Sequence, residues 1–313
     1  MTPSASGLTP ALEEATLLPK PALSPSADAF RRLRRNPIAI LSGGYILVLI
    51  FIALFAPHLT PYDFAFQDTA RYTNPPSIPD AKHLLGTDET ARDLLSRILY
   101  GARVSLGVAS VVIFVEVLIG VTLGLIAGYR GGRTDALLMR FTDVMFAFPD
   151  LLLAILLTAI LRSGGQAVNP AVSIGTLFLA LGIVGWPSMA RLVRGQALAL
   201  RQKEFVEAAR AIGVKERTIL LRHLLPNLSS PIIVQATQDA AAVILAEATL
   251  SYLGLGVQQP IPSWGRMVLD GQSYMQSKPF LLIVPGLALA FTVMAFNFFG
   301  DALRDALDPR LRQ

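Results

Sequence analysis

The chain has 313 residues, 53% of them hydrophobic and 16% charged, with a net charge of +5 and a mean hydropathy of +0.53. That balance belongs to a membrane protein, and the basic residues lie between apolar runs, where they set topology rather than bind nucleic acid. Cysteine is absent, which excludes disulfides, thiolate metal sites and cysteine nucleophiles.

Residues 1–30 are rich in Pro, Ser, Ala and Thr, with no basic region ahead of an apolar run. They read as a disordered cytoplasmic tail and not as a signal peptide. A helix needs about 20 mostly apolar residues to cross the hydrocarbon core. Six segments qualify: Ile38–Pro57, Val104–Tyr129, Leu137–Leu161, Ala171–Ala190, Leu228–Tyr252 and Phe280–Phe299. The third is the weakest, because Asp143, Pro149 and Asp150 interrupt it. The chain therefore divides into the tail, a first span with its loop (31–103), a five-helix core (104–302) that contains a polar loop at 203–226, and a second tail (303–313).

Basic residues orient these spans. With the N-terminus inside, nineteen of the 27 fall on the inner side, eight of them between Arg191 and Arg222. Both termini and the 191–226 segment are then cytoplasmic, and the 58–103 and 253–279 loops face outward. On the outer side, Thr87 and Asp88 are candidate N-caps for a helix carrying Arg92, Leu94, Leu95 and Ile98. Trp264 suits either an interfacial anchor or a partner contact. On the inner side, Tyr129 and Arg130 followed by Gly131-Gly132 predict a tight turn. After the fifth span, Gly254, Gly256, Pro260 and Pro262 keep the loop non-helical.

Glu204–Pro226 is polar, yet it sits between spans. It reads as two short helices broken at Gly213, the second running from about Lys215 to Leu225 and ended by Pro226. Glu204 and Glu207 suit the positive end of the first helix. Phe205, Ala208, Ala209 and Ile212 form an apolar stripe at helical spacing. The stripe fits either a protein-docking surface or an amphipathic helix lying on the inner leaflet; its small alanines make a poor lipid anchor and favour docking.

Ionisable groups within the spans are costly and face a cavity or a partner. Glu116 lies midway along the second span. Asp143 and Asp150 are seven residues apart and share a face of the third. Gln235, Gln238 and Asp239 share a face of the fifth, with Glu247 about 80° round from Asp239. Those groups fit either a translocation path or interhelical hydrogen bonding. His58, His83 and His223 are far apart in the sequence, and no cluster has metal-ligand spacing. No lysine follows a glycine, so there is no G-K-[ST] phosphate loop, and no nucleophile elbow or HExxH is present. Any energy source must come from another subunit.

The 204–226 segment resembles the EAA loop of ATP-binding-cassette import permeases. The family pattern is E-A-A, three residues, Gly, nine residues, then I-x-L-P. Here it reads Glu207-Ala208-Ala209, Gly213 and Leu225-Pro226, with His223 where the pattern has Ile. Arg34-Arg35-Asn36-Pro37, Leu84–Leu106, Gly128–Asp135, Ile244–Gly256, Pro262–Gly265 and Phe296–Arg310 are similar to the dipeptide, oligopeptide and nickel importer branch, and within it to the second (C-type) permease subunit. Ala91 departs from that branch, which usually has Gly there. The resemblance covers nearly everything after residue 31.

It implies an all-α, six-span type I importer permease in a bacterial or archaeal cell membrane. Glu204, Phe205, Glu207, Ala208, Ala209, Arg210, Gly213, Leu225 and Pro226 would couple it to the ATPase, and Gln235, Gln238, Asp239 and Asp143 are candidates for the substrate path. The implied partners are a paralogous permease in a heterodimer, two ATPases that hold ATP and magnesium, an extracytoplasmic substrate-binding protein and the bilayer. The chain itself would be no enzyme and bind no cofactor, metal or nucleic acid. The expected cargo is a dipeptide or oligopeptide; nickel chelates, glutathione-like compounds and oligosaccharides remain open. The competing class is a proton- or sodium-driven transporter working through Asp143, Asp150 or Asp239, for which no inverted repeat of broken helices is evident.

Overall fold

The computed structural model describes residues 25–69, 75–162 and 170–308. Residues 1–24 of the expected tail lie outside the described residues. The chain is already helical before residue 31, since α1 spans Pro25–Leu33. The tail boundary expected at residue 30 therefore falls within a helix.

The first span, α2 (Pro37–Leu59), starts where Asn36 accepts hydrogen bonds from the amides of Ile38 (2.9 Å) and Ala39 (3.3 Å). Pro37 follows the cap, where its missing N–H costs nothing. α3 (Leu94–Arg130) begins ten residues before the expected Val104. Its cap is Asp93, which accepts from Ser96 N at 2.7 Å, rather than Thr87 or Asp88. Those two instead serve the preceding loop: Thr87 Oγ1 accepts from Ser77 N, and Asp88 accepts from the amides of Thr90 and Arg92.

The third span is broken. α4 (Gly132–Phe146) and α5 (Asp150–Arg162) meet at an 81° bend. Pro149 supplies the reason: it lacks an N–H, and it forces the preceding residue out of helical conformation. Asp143 and Asp150 therefore lie on different helices and do not share a face. α6 (Pro170–Leu200) continues ten residues beyond the expected Ala190.

After it come α7 (Glu204–Ala211) and α8 (Glu216–Tyr252). Pro226 does not end a helix. Residues Ile219–Leu224 form a π-helical stretch inside α8, and Leu225 N reaches back to Leu220 O. Pro226 then occupies the first turn of the following α-helical stretch, where the wider turn accommodates it. Gly254 (φ +78°) follows the end of α8, and α9 (Trp264–Gln272) and α10 (Phe280–Leu307) complete the order.

Among the described residues, five helices are long and apolar enough to cross a membrane, and the bent α4–α5 pair makes a sixth if it counts as one span. Among the described residues the only β pairing is in isolated bridges, Gln67 with Arg92 and Thr87 with Asp93. Among the described residues the most extensive helix pairing joins α3 to α6. Gly120, Gly124 and Gly128 of α3 face Met189, Ala190, Val193 and Ala197 of α6, and a Cβ on any of the three would collide with these residues. Small residues spaced by four let two membrane helices approach in this way. Apolar packing falls into two clusters. One around Leu106, Leu177, Ile244 and Trp264 lies toward the outer half, and one around Leu125, Met189, Val193 and Leu228 lies at the inner end.

Candidate coupling loop and polar groups of the membrane domain

α7 splits its apolar residues between two faces. Val206 is fully buried and Ala209 is 6% exposed, both in the inner core cluster with Ile219 and Leu224. Phe205 (42% exposed) and Ile212 (80%) point away from the protein, with Ala208 between them. The expected four-residue stripe is therefore corrected by one position. Ala209 anchors the helix, Val206 shares that role unforeseen, and Phe205, Ala208 and Ile212 form the outward face. Reading the spacing of Val206 and Ala209 against the apolar start of α8 could have found this inward face.

Glu204 and Glu207 are exposed beside the outward face at the start of α7. Gly213 has φ +77°, the left-handed conformation that ends α7, and its amide bonds to Arg210 O at 2.9 Å. Arg210 lies over the Tyr129 ring, 4.6 Å from its centroid. Leu225 packs against the inner core and Pro226 is exposed, both within α8 rather than in a loop. His223 is half-buried, and its carbonyl oxygen accepts from Asn227 Nδ2 at 2.7 Å.

Gln235 and Gln238 reach a cavity of about 500 Å³ between α6, α8 and α10, lined also by Gln196, Asn227 and Arg304. Asp239 lies one turn deeper and accepts from Gln235 Nε2 at 2.9 Å. Gln238 Nε2 donates to Asp301 of α10 at 3.2 Å. Asp143 is absent from this lining and pairs with Arg191 at 2.8 Å, both side chains well exposed. The structure thus brings together two of the four path candidates, holds a third just behind them and separates the fourth. Glu116 is buried, its carboxyl lying on Gly185 of α6.

Glu247 is fully buried and accepts from Ser105 (3.0 Å) and Ser251 (2.7 Å), so it ties α8 to α3. Trp264 is 1% exposed and donates to Ile98 O at 3.1 Å. It is a core residue, and both surface roles expected of it are corrected, because Gly101 opens the space its ring fills.

Residues 120–313 match the model of the binding-protein-dependent transport system inner membrane component, and residues 24–76 match the N-terminal membrane domain of oligopeptide transport permease C. The chain belongs to this family of transport permeases. It is 43% identical to the dipeptide transport system permease protein of Alkalihalophilus pseudofirmus, over 93% of this chain and 92% of that one. It is also 43% identical to the glutathione transport system permease protein of Pectobacterium atrosepticum (92% of each chain), and 39% identical to the oligopeptide transport system permease protein of Bacillus subtilis (96% and 94%). Among solved structures, the inward-facing MetNI methionine ABC transporter superposes with a TM-score of 0.54 at 19% identity, over 69% of this chain and 98% of that one. That likeness supports the fold, an all-helical type I importer permease. The permease is a multi-pass inner-membrane protein.

The outer loops of this permease hold a charge cluster that sequence reading did not single out. Asp88 pairs with Arg92 at 2.7 Å and with Arg97 at 3.2 Å, and Arg97 also donates to Pro260 O at 3.2 Å. His83 Nδ1 lies 2.9 Å from Asp93 Oδ1 in the same buried layer. Each group is partnered within the outer loops, and among the described residues no His, Cys, Asp and Glu group has a metal-binding arrangement. The signal in the sequence was the close run of opposite charges Asp88, Arg92, Asp93 and Arg97, although the pairing follows the turn before α3 and not a helical face.

Proposed function

We propose that this chain is the C-type membrane subunit of an ATP-driven importer for dipeptides or oligopeptides, and that α7 is the element that docks on its ATPase. The exposed Phe205, Ala208 and Ile212 face carries this reading. It is a small apolar patch rimmed by Glu204 and Glu207, held out from the bundle by buried Val206 and Ala209. A short alanine-centred face with two carboxylates is poor at entering an anionic leaflet and well shaped for a close-fitting protein groove.

In this reading ATP and magnesium reside on two separate ATPase subunits, and the chain carries no catalytic residue or cofactor of its own. A paralogous permease completes the path, and an extracytoplasmic binding protein delivers cargo to the outer loops. Closure of the ATPase pair moves α7, and the permease pair alternates its access. Gln235, Gln238 and Asp239 line or back the path near its inner mouth, while Asp143 serves as a surface ion pair. The relatives named for dipeptide, oligopeptide and glutathione transport support a peptide-like cargo.

The test is transport and ATPase activity in vesicles containing the assembled importer. Loaded binding protein should stimulate ATP hydrolysis and uptake, and Glu207→Lys combined with Gly213→Pro should abolish both responses. Unimpaired uptake in that double variant would remove the coupling role from α7. Uptake that survives ATP depletion and collapses with an ion gradient would remove the ATP-driven reading altogether.

A further inference from the structure

The inner end of α3 gathers contacts from every section of the 201–216 segment. Arg201, just past α6, donates from Nη1 to Tyr129 O at 3.2 Å and to Gly128 O at 3.5 Å. These are among the last carbonyls of α3, which no further helical turn satisfies. A guanidinium there also meets the negative end of the helix dipole. Arg210, in the last turn of α7, lies over the Tyr129 ring and donates from Nε to its hydroxyl at 3.2 Å. Glu216, which opens α8, accepts from Arg130 Nε at 2.7 Å. Three consecutive residues of α3, Gly128 to Arg130, therefore hold the segments before, within and after α7.

These contacts differ in quality. Arg130 and Glu216 are 55% and 40% exposed, so water screens their attraction and the pair holds little. Tyr129 combines a ring face, a hydroxyl bond to the same guanidinium and a carbonyl bond to Arg201, and it is half-buried against the inner core cluster. Behind it, the Gly120, Gly124 and Gly128 seam locks α3 to α6. A packed seam of this kind transmits a displacement as a shift of both helices rather than absorbing it.

We propose that Tyr129 is a positioning residue for α7: it fastens the helix to the α3–α6 pair, so that a push on α7 reaches the membrane helices as one rigid motion. This rests on the docking role given to α7 above. Arg201 sets the height of the clasp and Arg210 its angle. Tyr129 itself touches neither nucleotide nor cargo.

The experiment uses the complete importer in vesicles. The permease has no cysteine, so with any cysteines of the partner subunits replaced, spin labels placed through Ala211→Cys and Arg133→Cys report the separation of α7 from the start of α4. Tyr129→Leu should leave the ATPase subunits bound, lower the ratio of stimulated to basal ATP hydrolysis about fivefold or more, and broaden the label distance distribution. Tyr129→Phe keeps the ring face and should recover most of both. Unchanged stimulation and an unchanged distribution in Tyr129→Leu would overturn the proposal. So would loss of the ATPase subunits in both variants, which would make Tyr129 a residue of assembly. Glu207→Lys separates the two levels. If it abolishes stimulation while Tyr129→Leu does not, only the Tyr129 role fails; if it too keeps full stimulation, the docking role of α7 fails and the Tyr129 role with it.

Discussion

The two ends of the permease use the same side chains in opposite regimes. At the outer end, Arg92 and Arg97 are 2% and 1% exposed and share the Asp88 carboxylate. Gln259 bridges Arg92 to Asp270 of α9, so the loop before α3 and the segment after α8 are joined by partly buried polar contacts. At the inner end, the pairs Arg130–Glu216 and Arg191–Asp143 lie among side chains that are 40% to 64% exposed. Buried pairs contribute little net stability when made but cost heavily when one partner is removed. Exposed pairs exchange for water at almost no cost. The outer cap is thus fixed in one arrangement, while at the inner end these two exposed pairs can yield around the locked α3–α6 seam and the more enclosed Arg194–Asp135 pair, 31% and 15% exposed. On the docking role proposed for α7, that suits a surface moved by a partner.

The largest effect should come from breaking the outer regime. Asp88→Ala leaves two buried guanidiniums without their shared carboxylate and should cost about 3–5 kcal/mol. Thermal melting of the detergent-solubilised permease checks this, and an unchanged midpoint would show that the outer charges are not structural. Next comes the one fully buried anchor of α7. Val206→Ala removes two methyl groups from the inner core and should cost about 2 kcal/mol by the same measurement. Because the lost packing is what holds the outward face of α7 in place, transport should fall as well. Arg130→Ala at the same end should leave the melting midpoint almost unmoved.

Element existence was legible in the sequence, since long apolar runs leave little choice in a bilayer. Boundaries and partners were harder to read. α3 starts at Leu94 rather than Val104 because Ser96 and Arg97 are buried by the outer loops, not by lipid, and hydropathy cannot distinguish the two. Pro149 was seen as an interruption, but whether a proline kinks one span or divides it by 81° depends on neighbouring helices. Pro226 reads as a stop because a π-helical stretch before it leaves no compositional trace. In the candidate site, the turn at Gly213 was readable from residue type alone, and the inward face of α7 was not, since Ala209 suits either side. Trp264 reads as a surface residue because amphipathic side chains usually sit there, and Glu247 fits either a path or interhelical hydrogen bonding, of which the structure shows the second. Ile98 O and Ser105 are brought to them only by the fold, whereas Ser251 lies one turn on from Glu247 in the same helix. Ala91 carries the departure from glycine at φ +61°, fully buried, in a turn where its amide bonds to Asp88 O at 3.1 Å.

Smaller effects sharpen the same contrast. Burial, and then the neighbouring Asp88, push the Glu89 carboxyl above its ordinary value of 4.5. The folded permease therefore holds this proton more tightly than the unfolded chain does. That contribution to stability is complete below about pH 4.5 and is lost as the pH rises through the raised value. Glu89→Gln removes the titration, so its melting midpoint should gain on that of the parent protein as the pH is raised from about 4.5 to about 8. A constant difference between the two proteins across that range would show that the outer cap does not perturb Glu89.

Phe205→Ala should have the smallest effect on stability and still be informative. The ring is 42% exposed and lies on the face of α7 turned away from the core, so its removal should move the melting midpoint by no more than about 0.5 kcal/mol. If that face seats in an ATPase groove, the same change removes an aromatic anchor from an interface, where a buried ring is worth about 2 kcal/mol or more. Co-purification of the ATPase should then weaken about thirtyfold while the permease melts normally. Val206→Ala, by contrast, should lower stability and ATPase binding together. A Phe205→Ala permease that retains its ATPase at full affinity would mean that the exposed face of α7 is not the docking surface, and that the inner end yields for some other reason.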